Sequence, residues 1–305
     1  MKIREGFKGI FCLPVTPFTK DDEIDEEALR TIVDVIIEDG ADGLVAPGLT
    51  GEFPFLLHEE RKKIYEIVLD QANGRVPVLA GTGATNTKEA LIFTKYAEDI
   101  GCDGVMLSNP VLHYGATDAQ SYSYYERIAT KVNIPILVYN NPGYGQSMSP
   151  DVIERLATDF DNIVSYKEDD FSFDRFAEII RRCKDKITIF TGSPTALLTF
   201  LTLGAHGPLV AQFQAFPHLI KGVYESFQKG DMEKTLEFHE KIMEVENAIW
   251  KLFKGASFPA VFKAILKIRG VDLELAVRHP SVPVTEEQLK KAEPELLKLG
   301  IPKIN

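Results

Sequence analysis

The sequence predicts an α/β fold, a (β/α)8 TIM barrel followed by a C-terminal helical domain. Two observations carry this prediction: short apolar runs alternate with stretches of helical period over two-thirds of the chain, and eight such runs occur. Runs that are apolar throughout are typical of parallel strands covered on both faces. The 305 residues suit one such barrel, for which about 250 residues are typical. The competing architecture, a doubly wound sheet, usually has fewer strands and a glycine fingerprint after the first.

Apolar runs give the strands, and capping residues mark helices between them. The strands are predicted at 9–18, 43–48, 76–83, 104–110, 135–142, 162–169, 187–193 and 207–212. Asp25 precedes a helix with acids in its first turn, and Asn86 forms a capping box with Glu89. Ser149 stands before Pro150, which suits the first position of a helix. Residues of these types bind the free amides of a first turn or lack an amide there.

Strand patterns stop at about Asp231, and the rest of the chain has helical periodicity. The last predicted helix begins with a capping box formed by Thr285 and Gln288. We therefore expect a catalytic barrel at 1–230 and a C-terminal helical domain at 231–305.

Composition restricts the partners and the compartment. The net charge of −11, from 45 acidic and 34 basic residues, argues against nucleic acid or an anionic membrane, because both attract basic patches. Cys12, Cys102 and Cys183 are odd in number and widely spaced, so neither a disulfide framework nor a zinc knuckle is indicated. The N-terminal apolar run is too short for a signal peptide or a membrane span. We expect a cytoplasmic protein with a small-molecule substrate.

Reactive groups in a barrel of this kind lie at the C-terminal ends of the strands. The polar residues and glycine predicted there are Thr50, Tyr139, Lys167, Gly192 and Ser193. A lysine at the end of a buried strand must find a partner, lose its proton or react, because an unpaired buried charge is costly. In a low-dielectric site the neutral amine is favoured and becomes a nucleophile.

An amine that attacks a ketone forms an imine, which accepts electrons when a neighbouring C–C or C–O bond breaks. Tyr139 would carry the protons that this chemistry moves. In "PGLTGE" (47–52), the glycines let backbone amides face a ligand, and Thr50 adds a hydroxyl for a substrate carboxylate. Each residue has a simpler interpretation: an ion pair of Lys167 with Glu168 or Asp169, a core tyrosine, and an ordinary turn.

No metal or cofactor is predicted. The six histidines show no HxH or HExxH spacing, which disfavours a metal-dependent aldolase. The stretch "GTGATN" (81–86) lacks the third glycine of a dinucleotide fingerprint and is interpreted as a barrel loop.

With these residues in place, the chain resembles the dihydrodipicolinate synthase/N-acetylneuraminate lyase family of Schiff-base, pyruvate-type class I aldolases and dehydratases. The resemblance spans nearly the whole chain, through "GIFCLPVTPF", "TGEFPFLLHEER", "VPVLAGTG", "YNNPG", "YKE", "LTLGAHG" and "PVTEEQLKK". It implies a barrel with a C-terminal helical domain, commonly a homotetramer. It also implies that Lys167 forms the imine, that Tyr139 handles protons, and that Thr50 and adjacent amides bind the carboxylate.

Departures from the family pattern concern the substrate. Leu49 stands where the synthases carry a second hydroxyl residue, and Leu112 replaces a tyrosine, although His113 and Tyr114 lie close by in sequence. Tyr144 replaces an arginine that holds the second substrate's carboxylate in the synthases. "TGSPTA" lacks the acids that bind the polyhydroxyl tail in sialic acid lyases. The predicted substrate-binding residues are Thr50, Leu49, Gly51, Gly192, Ser193, Leu209 and Tyr144.

The sequence thus favours a lyase, an aldolase or dehydratase, for a 2-keto-3-deoxy sugar acid or a related 2-oxo acid. The alternatives are a synthase that condenses pyruvate with an aldehyde and a barrel that binds a 2-oxo acid without turnover. Intact Lys167 and Tyr139 argue against the latter, since a binding protein needs no amine and phenol together. The acids at 168–170 would either contact substrate hydroxyls or form a solvated loop.

Overall fold

Eight parallel strands form a closed barrel, with β1 to β8 neighbouring one another in chain order. The structure, a computed structural model, describes residues 6–110, 116–170 and 172–304. The strands are β1 Phe11–Cys12, β2 Gly43–Ala46, β3 Val78–Gly81, β4 Gly104–Ser108, β5 Ile136–Asn140, β6 Ile163–Glu168, β7 Thr188–Thr191 and β8 Gly207–Val210. Each lies within one of the predicted apolar runs, which confirms the predicted fold class.

Helices follow the strands, and more helices continue the chain after the last strand. They are α1 Glu26–Glu38, α2 His58–Ala72, α3 Thr87–Asp99, α4 Asp118–Ala129, α5 Pro150–Asp159, α6 Phe173–Cys183, α7 Leu197–Leu203, α8 Pro217–Gln228, α9 Met232–Leu252, α10 Phe258–Arg269 and α11 Glu286–Lys298. Short 3-10 helices lie at Phe53–Phe55 and Ala211–Gln214. Within the described residues, no helix combines the length and the apolarity that crossing a bilayer requires.

Burial explains why the strands lack polar alternation. Every residue of β5 and β6 is buried, including the polar residues at their C-terminal ends. Both faces of these strands are therefore covered, as parallel strands in a barrel require. Polar side chains on such a strand must find partners inside the protein.

The predicted helix starts are confirmed by their hydrogen bonds. The side chain of Asp25 accepts from the amide of Ala28 at 3.0 Å, and that of Asn86 accepts from Glu89 at 3.0 Å. Ser149 caps α5, which starts at Pro150. At α11, Thr285 and Gln288 form the expected reciprocal capping box. Local sequence thus sets where these helices begin.

The chain folds into two compact units that are discontinuous in sequence. The first contains the described residues up to Phe11 together with Pro77–Leu209, and the second contains Cys12–Val76 together with the described residues from Val210. The second unit therefore includes β2, α1 and α2 as well as the C-terminal helices. The predicted division into 1–230 and 231–305 stays a prediction.

Candidate active site

Lys167 and Tyr139 lie side by side at the C-terminal ends of neighbouring strands. They are directly paired in the register of β5 and β6, so their side chains point to the same side of the sheet. Lys167 Nζ lies 4.2 Å from the centroid of the Tyr139 ring, and both residues are buried. The structure thus brings together the two residues that the sequence selected as an amine and a phenol.

Burial lowers the pKa of Lys167 below its usual 10.5, because the ammonium is poorly solvated there. The Asp169 carboxylate, with Oδ2 3.4 Å from Lys167 Nζ, opposes this shift. The ion pair expected from sequence is therefore formed with Asp169. A lysine with a lowered pKa has a larger neutral fraction at a given pH, and the neutral amine is the nucleophile.

The Tyr139 hydroxyl has one acceptor and one donor. It donates to Asp169 Oδ2 and accepts from Asn141 Nδ2 at 2.7 Å. Burial, followed by the charge of Asp169, raises the pKa of Tyr139 well above 10. The phenol therefore stays protonated and can give a proton to a developing alkoxide if the proton is replaced from its partner.

Asp169 connects the amine and the phenol through one carboxylate. Its Oδ2 contacts both groups, whereas Oδ1 is buried without a hydrogen-bond partner among the described residues. Gly192, after β7, makes this arrangement possible. A Cβ at position 192 would overlap Asp169 Oδ1 and would lie 2.6 Å from Lys167 Cε. Only glycine fits there, which explains the residue that the sequence placed at the end of the seventh strand.

Glu168 lies in β6 and not in a solvated loop, so the solvated-loop alternative is wrong for this residue. The residue is fully buried. Its carboxylate accepts from Asn140 Nδ2 at 2.7 Å and from the Tyr166 hydroxyl at 2.6 Å, and it pairs with Arg175 at 3.3 Å. Burial raises the pKa of Glu168 despite these partners. Alternation along the strand separates Glu168 from its neighbours Lys167 and Asp169, which lie together.

Three other predicted binding residues have different surroundings. The Tyr144 ring packs edge-on against Tyr139, with centroids 5.9 Å apart. The Ser193 hydroxyl contacts Thr195 at 3.1 Å and accepts from the Ala196 amide at 3.2 Å, so it is engaged in its own turn. Leu209 is completely buried in β8. Of these three residues, Tyr144 is the one with a ring contact to Tyr139.

The second unit contains the predicted carboxylate-binding loop. Within this loop the Gly51 amide donates to the Gly48 carbonyl at 3.0 Å, and the Glu52 amide donates to the Leu49 carbonyl at 2.9 Å. Tight turns of this kind use backbone donors internally. Thr50 is buried, whereas Leu49 is 39% exposed.

Glu52 fixes the end of this loop, a role that the sequence did not reveal. It has a left-handed backbone conformation with φ of 58°, which is uncommon for a residue with a side chain. Its carboxylate accepts from Lys263 Nζ at 2.6 Å and from the Arg278 amide at 2.9 Å. Both charged side chains of the Glu52–Lys263 pair are fully buried.

The remaining predictions concern position 112 and a metal site. Leu112, with its neighbours His113 and Tyr114, lies outside the described residues. Among residues 6–110, 116–170 and 172–304, no group of three or more His, Cys, Asp or Glu side chains is arranged to hold a metal ion.

Relatives of this chain share its length and architecture. The family described as "Dihydrodipicolinate synthetase family" matches residues 6–298. A 4-hydroxy-tetrahydrodipicolinate synthase from Maridesulfovibrio salexigens is 33% identical over 97% of this chain and 99% of the relative. One from Syntrophus aciditrophicus is 36% identical over the same shares of the two chains.

Solved structures that are similar to this chain also belong to the dihydrodipicolinate synthase family. YagE, a prophage protein of the dihydrodipicolinic acid synthase family from E. coli K12, was solved in complex with pyruvate. It has a TM-score of 0.90 and 28% identity, over 97% of this chain and 99% of its own. Dihydrodipicolinate synthase from Aquifex aeolicus has a TM-score of 0.89 and 29% identity, over 98% and 100%.

These matches confirm the resemblance that the sequence motifs indicated, and the relatives are enzymes of the lyase class. The buried amine and phenol at the ends of β5 and β6 agree with a class I aldolase. The chain therefore belongs to the dihydrodipicolinate synthetase family.

Proposed function

We propose that this enzyme forms an imine between Lys167 and pyruvate and condenses it with an aldehyde. The observation that carries the proposal is the buried Lys167 amine beside the Tyr139 phenol. The relatives named as synthases support condensation, and pyruvate in the YagE structure supports the first substrate. This replaces the 2-keto-3-deoxy sugar acid lyase that the sequence favoured as the leading candidate.

The first half of the reaction makes the imine. The neutral Lys167 amine donates its electron pair to the ketone carbon of pyruvate, and the carbonyl oxygen receives a proton to give a carbinolamine. A second proton then lets this oxygen leave as water, while the nitrogen lone pair forms the C=N bond. Tyr139, held protonated by burial, is the proton donor on this side of the sheet.

The second half makes the C–C bond. Loss of a methyl proton from the protonated imine gives an enamine, with the electron pair drawn toward nitrogen. The enamine carbon attacks the aldehyde carbon, and the resulting alkoxide takes a proton. Water then hydrolyses the new imine and frees Lys167 for another turnover.

A second candidate is the same chemistry in the direction of cleavage, acting on a 2-keto-3-deoxy acid. Tyr144 favours it, because a buried aromatic ring packs against Tyr139 where the synthases are expected to carry an arginine. A phenol offers no cation for a second carboxylate. Consumption of pyruvate with an aldehyde, as against release of pyruvate from a 2-keto-3-deoxy acid, distinguishes the two candidates.

The test begins with borohydride reduction in the presence of pyruvate, followed by intact mass and peptide mapping. We expect a pyruvate-sized adduct on the peptide that contains Lys167, and none in Lys167→Ala. Lys131→Ala, which removes an exposed lysine, is the matched control and should be labelled like the wild type. Absence of an adduct in a folded wild-type protein that binds pyruvate would refute the proposal.

Substrate screening follows from a positive result. Consumption of pyruvate with an aldehyde would establish condensation, whereas release of pyruvate only from 2-keto-3-deoxy acids would establish the second candidate. Carboxylate binding by Thr50, a homotetrameric assembly and a cytoplasmic location stay predictions; light scattering would measure the assembly.

A further inference from the structure

We propose that Asp169 is a catalytic residue that carries protons between the Lys167 amine and the Tyr139 phenol. This inference rests on the proposed imine chemistry. Imine formation requires protons to move from nitrogen to oxygen, and one carboxylate carries them.

Geometry places Asp169 between the two reacting groups. Its Oδ2 lies 3.4 Å from Lys167 Nζ and accepts the hydrogen bond of the Tyr139 hydroxyl. A single oxygen atom therefore contacts both the proton source and the proton donor to substrate. Such contacts are close enough for transfer, or become so when the complex tightens around substrate.

The neighbouring acids do not share this position. Glu168 is occupied by Asn140, Tyr166 and Arg175. Asp170 accepts from the Ser147 hydroxyl at 2.7 Å. Of the three acids in the run, Asp169 is the one that contacts the amine and the phenol.

A relay through Asp169 also accounts for the missing hydroxyl residue at position 49. The resemblance implies a second hydroxyl residue at position 49, and Leu49 has no proton to transfer. In this structure Tyr139 instead has Asp169 as its acceptor and Asn141 as its donor. An amide donor holds the phenol oxygen in place, whereas a carboxylate accepts and returns a proton.

The proton balance closes without any other reactant. The ammonium gives one proton to Asp169, and the neutral amine attacks the ketone carbon of pyruvate. Tyr139 protonates the carbonyl oxygen and is reprotonated by Asp169. A second proton leaves nitrogen by the same route, and the oxygen departs as water with two protons. The products are a protonated imine, water, ionised Asp169 and neutral Tyr139.

A passive ion pair makes the opposite prediction, which allows a decisive test. Asp169 opposes the lowering of the Lys167 pKa, so its removal increases the neutral fraction of the amine. If Asp169 only stabilised the ammonium, Asp169→Asn would form the imine as fast as the wild type or faster. If it carries protons, the variant slows by about 100-fold, a typical contribution of general acid–base catalysis.

The experiment measures the rate at which pyruvate forms the borohydride-trappable imine from pH 6 to 10, with circular dichroism as a check on folding. Asp169→Asn should be slow while still binding pyruvate, and Asp170→Asn should stay within about threefold of the wild type. In the relay, Tyr139→Phe and Asp169→Asn act as one unit, so the double variant should be little slower than either single variant.

A second pair of variants keeps the test independent of any folding defect in Asp169→Asn. Asp169→Glu and Asp169→Gln have side chains of equal length, and only the former keeps a carboxylate. A rate for Asp169→Glu at least tenfold above that of Asp169→Gln supports the relay, and equal rates overturn it. Absence of an adduct in the wild type would instead overturn the proposed function itself.

Discussion

Replacing Lys263 by methionine tests how strongly the buried Glu52–Lys263 pair supports the second unit. The Lys263 ammonium donates to Glu52 at 2.6 Å and to the Ala276 carbonyl at 2.7 Å. Burial lowers the pKa of Lys263 to about 8, although Glu52 opposes the shift. Methionine keeps an apolar chain of similar length but removes the charge, which leaves the Glu52 carboxylate buried with the Arg278 amide as its donor.

Breaking a buried pair by removing one partner costs about 3–5 kcal/mol, because the remaining charge loses its compensation. We therefore expect Lys263→Met to lower the free energy of unfolding by about this amount. Burial lowers the pKa of Lys263 even though Glu52 opposes the shift, which is the effect expected when charged groups are removed from water. The double variant Glu52→Gln/Lys263→Met leaves no buried charge at the pair, and should regain most of the loss.

Urea unfolding at fixed protein concentration, followed by fluorescence, measures these differences. Trp250 is the only tryptophan of the chain and stacks on Phe258, the first residue of the helix that contains Lys263. The control is Lys241→Met, which breaks an exposed pair with Glu244 and should cost at most about 1 kcal/mol. A loss for Lys263→Met no larger than this control would refute the reasoning.

Three further predictions concern the site and one helix. Gly192→Ala should slow imine formation with pyruvate to nearly the rate of Asp169→Asn, because the added methyl displaces the Asp169 carboxylate; an unchanged rate in the trapping assay would contradict this. Because the Lys167 ammonium is the proton source of the relay, the rate in the wild type should fall as the pH rises through the pKa of Lys167, which burial places below 10.5; a rate that keeps rising with pH beyond 10.5 would show that the amine reacts without this proton source. Ser149→Ala should lower the stability by about 1 kcal/mol through loss of a helix cap, and an unchanged urea midpoint would argue against that role.

Strand periodicity predicted the part of the site that depends on backbone position. Apolar runs located β5 and β6, and the ends of these runs gave Tyr139 and Lys167, which are paired in register. A parallel barrel requires continuous burial of its strands, so the signal in the sequence is strong. Residues whose place follows from strand position could therefore be assigned correctly.

Side-chain partners were harder to predict, because they depend on groups distant in sequence. Glu168 and Asp169 are adjacent acids, yet one pairs with Arg175 and the other contacts Lys167. Strict alternation from Lys167 would have predicted this division. Nothing local to Glu52, by contrast, points to Lys263, which lies 211 residues further along the chain.

The direction of catalysis was also beyond the sequence. The changed positions Leu49, Leu112 and Tyr144 led to a lyase as the first hypothesis, whereas the relatives are named as synthases. An imine enzyme uses the same amine and phenol in both directions, so these two residues do not distinguish condensation from cleavage. The second substrate is decided by the residues that surround the pair.

The discontinuity of the two units has a consequence for synthesis on the ribosome. The first unit lacks β8 until residue 209 has emerged from the ribosome. The second unit lacks α9 to α11 until these later helices have been synthesised. The second unit therefore cannot fold completely before its last helices have been synthesised. Until Lys263 has been synthesised, β2 and the loop that follows it are exposed to chaperones and proteases. A nascent chain stopped at residue 230, after α8, would carry Glu52 without its ammonium partner. The residues from Val210 onward thus complete a unit that Cys12–Val76 begins.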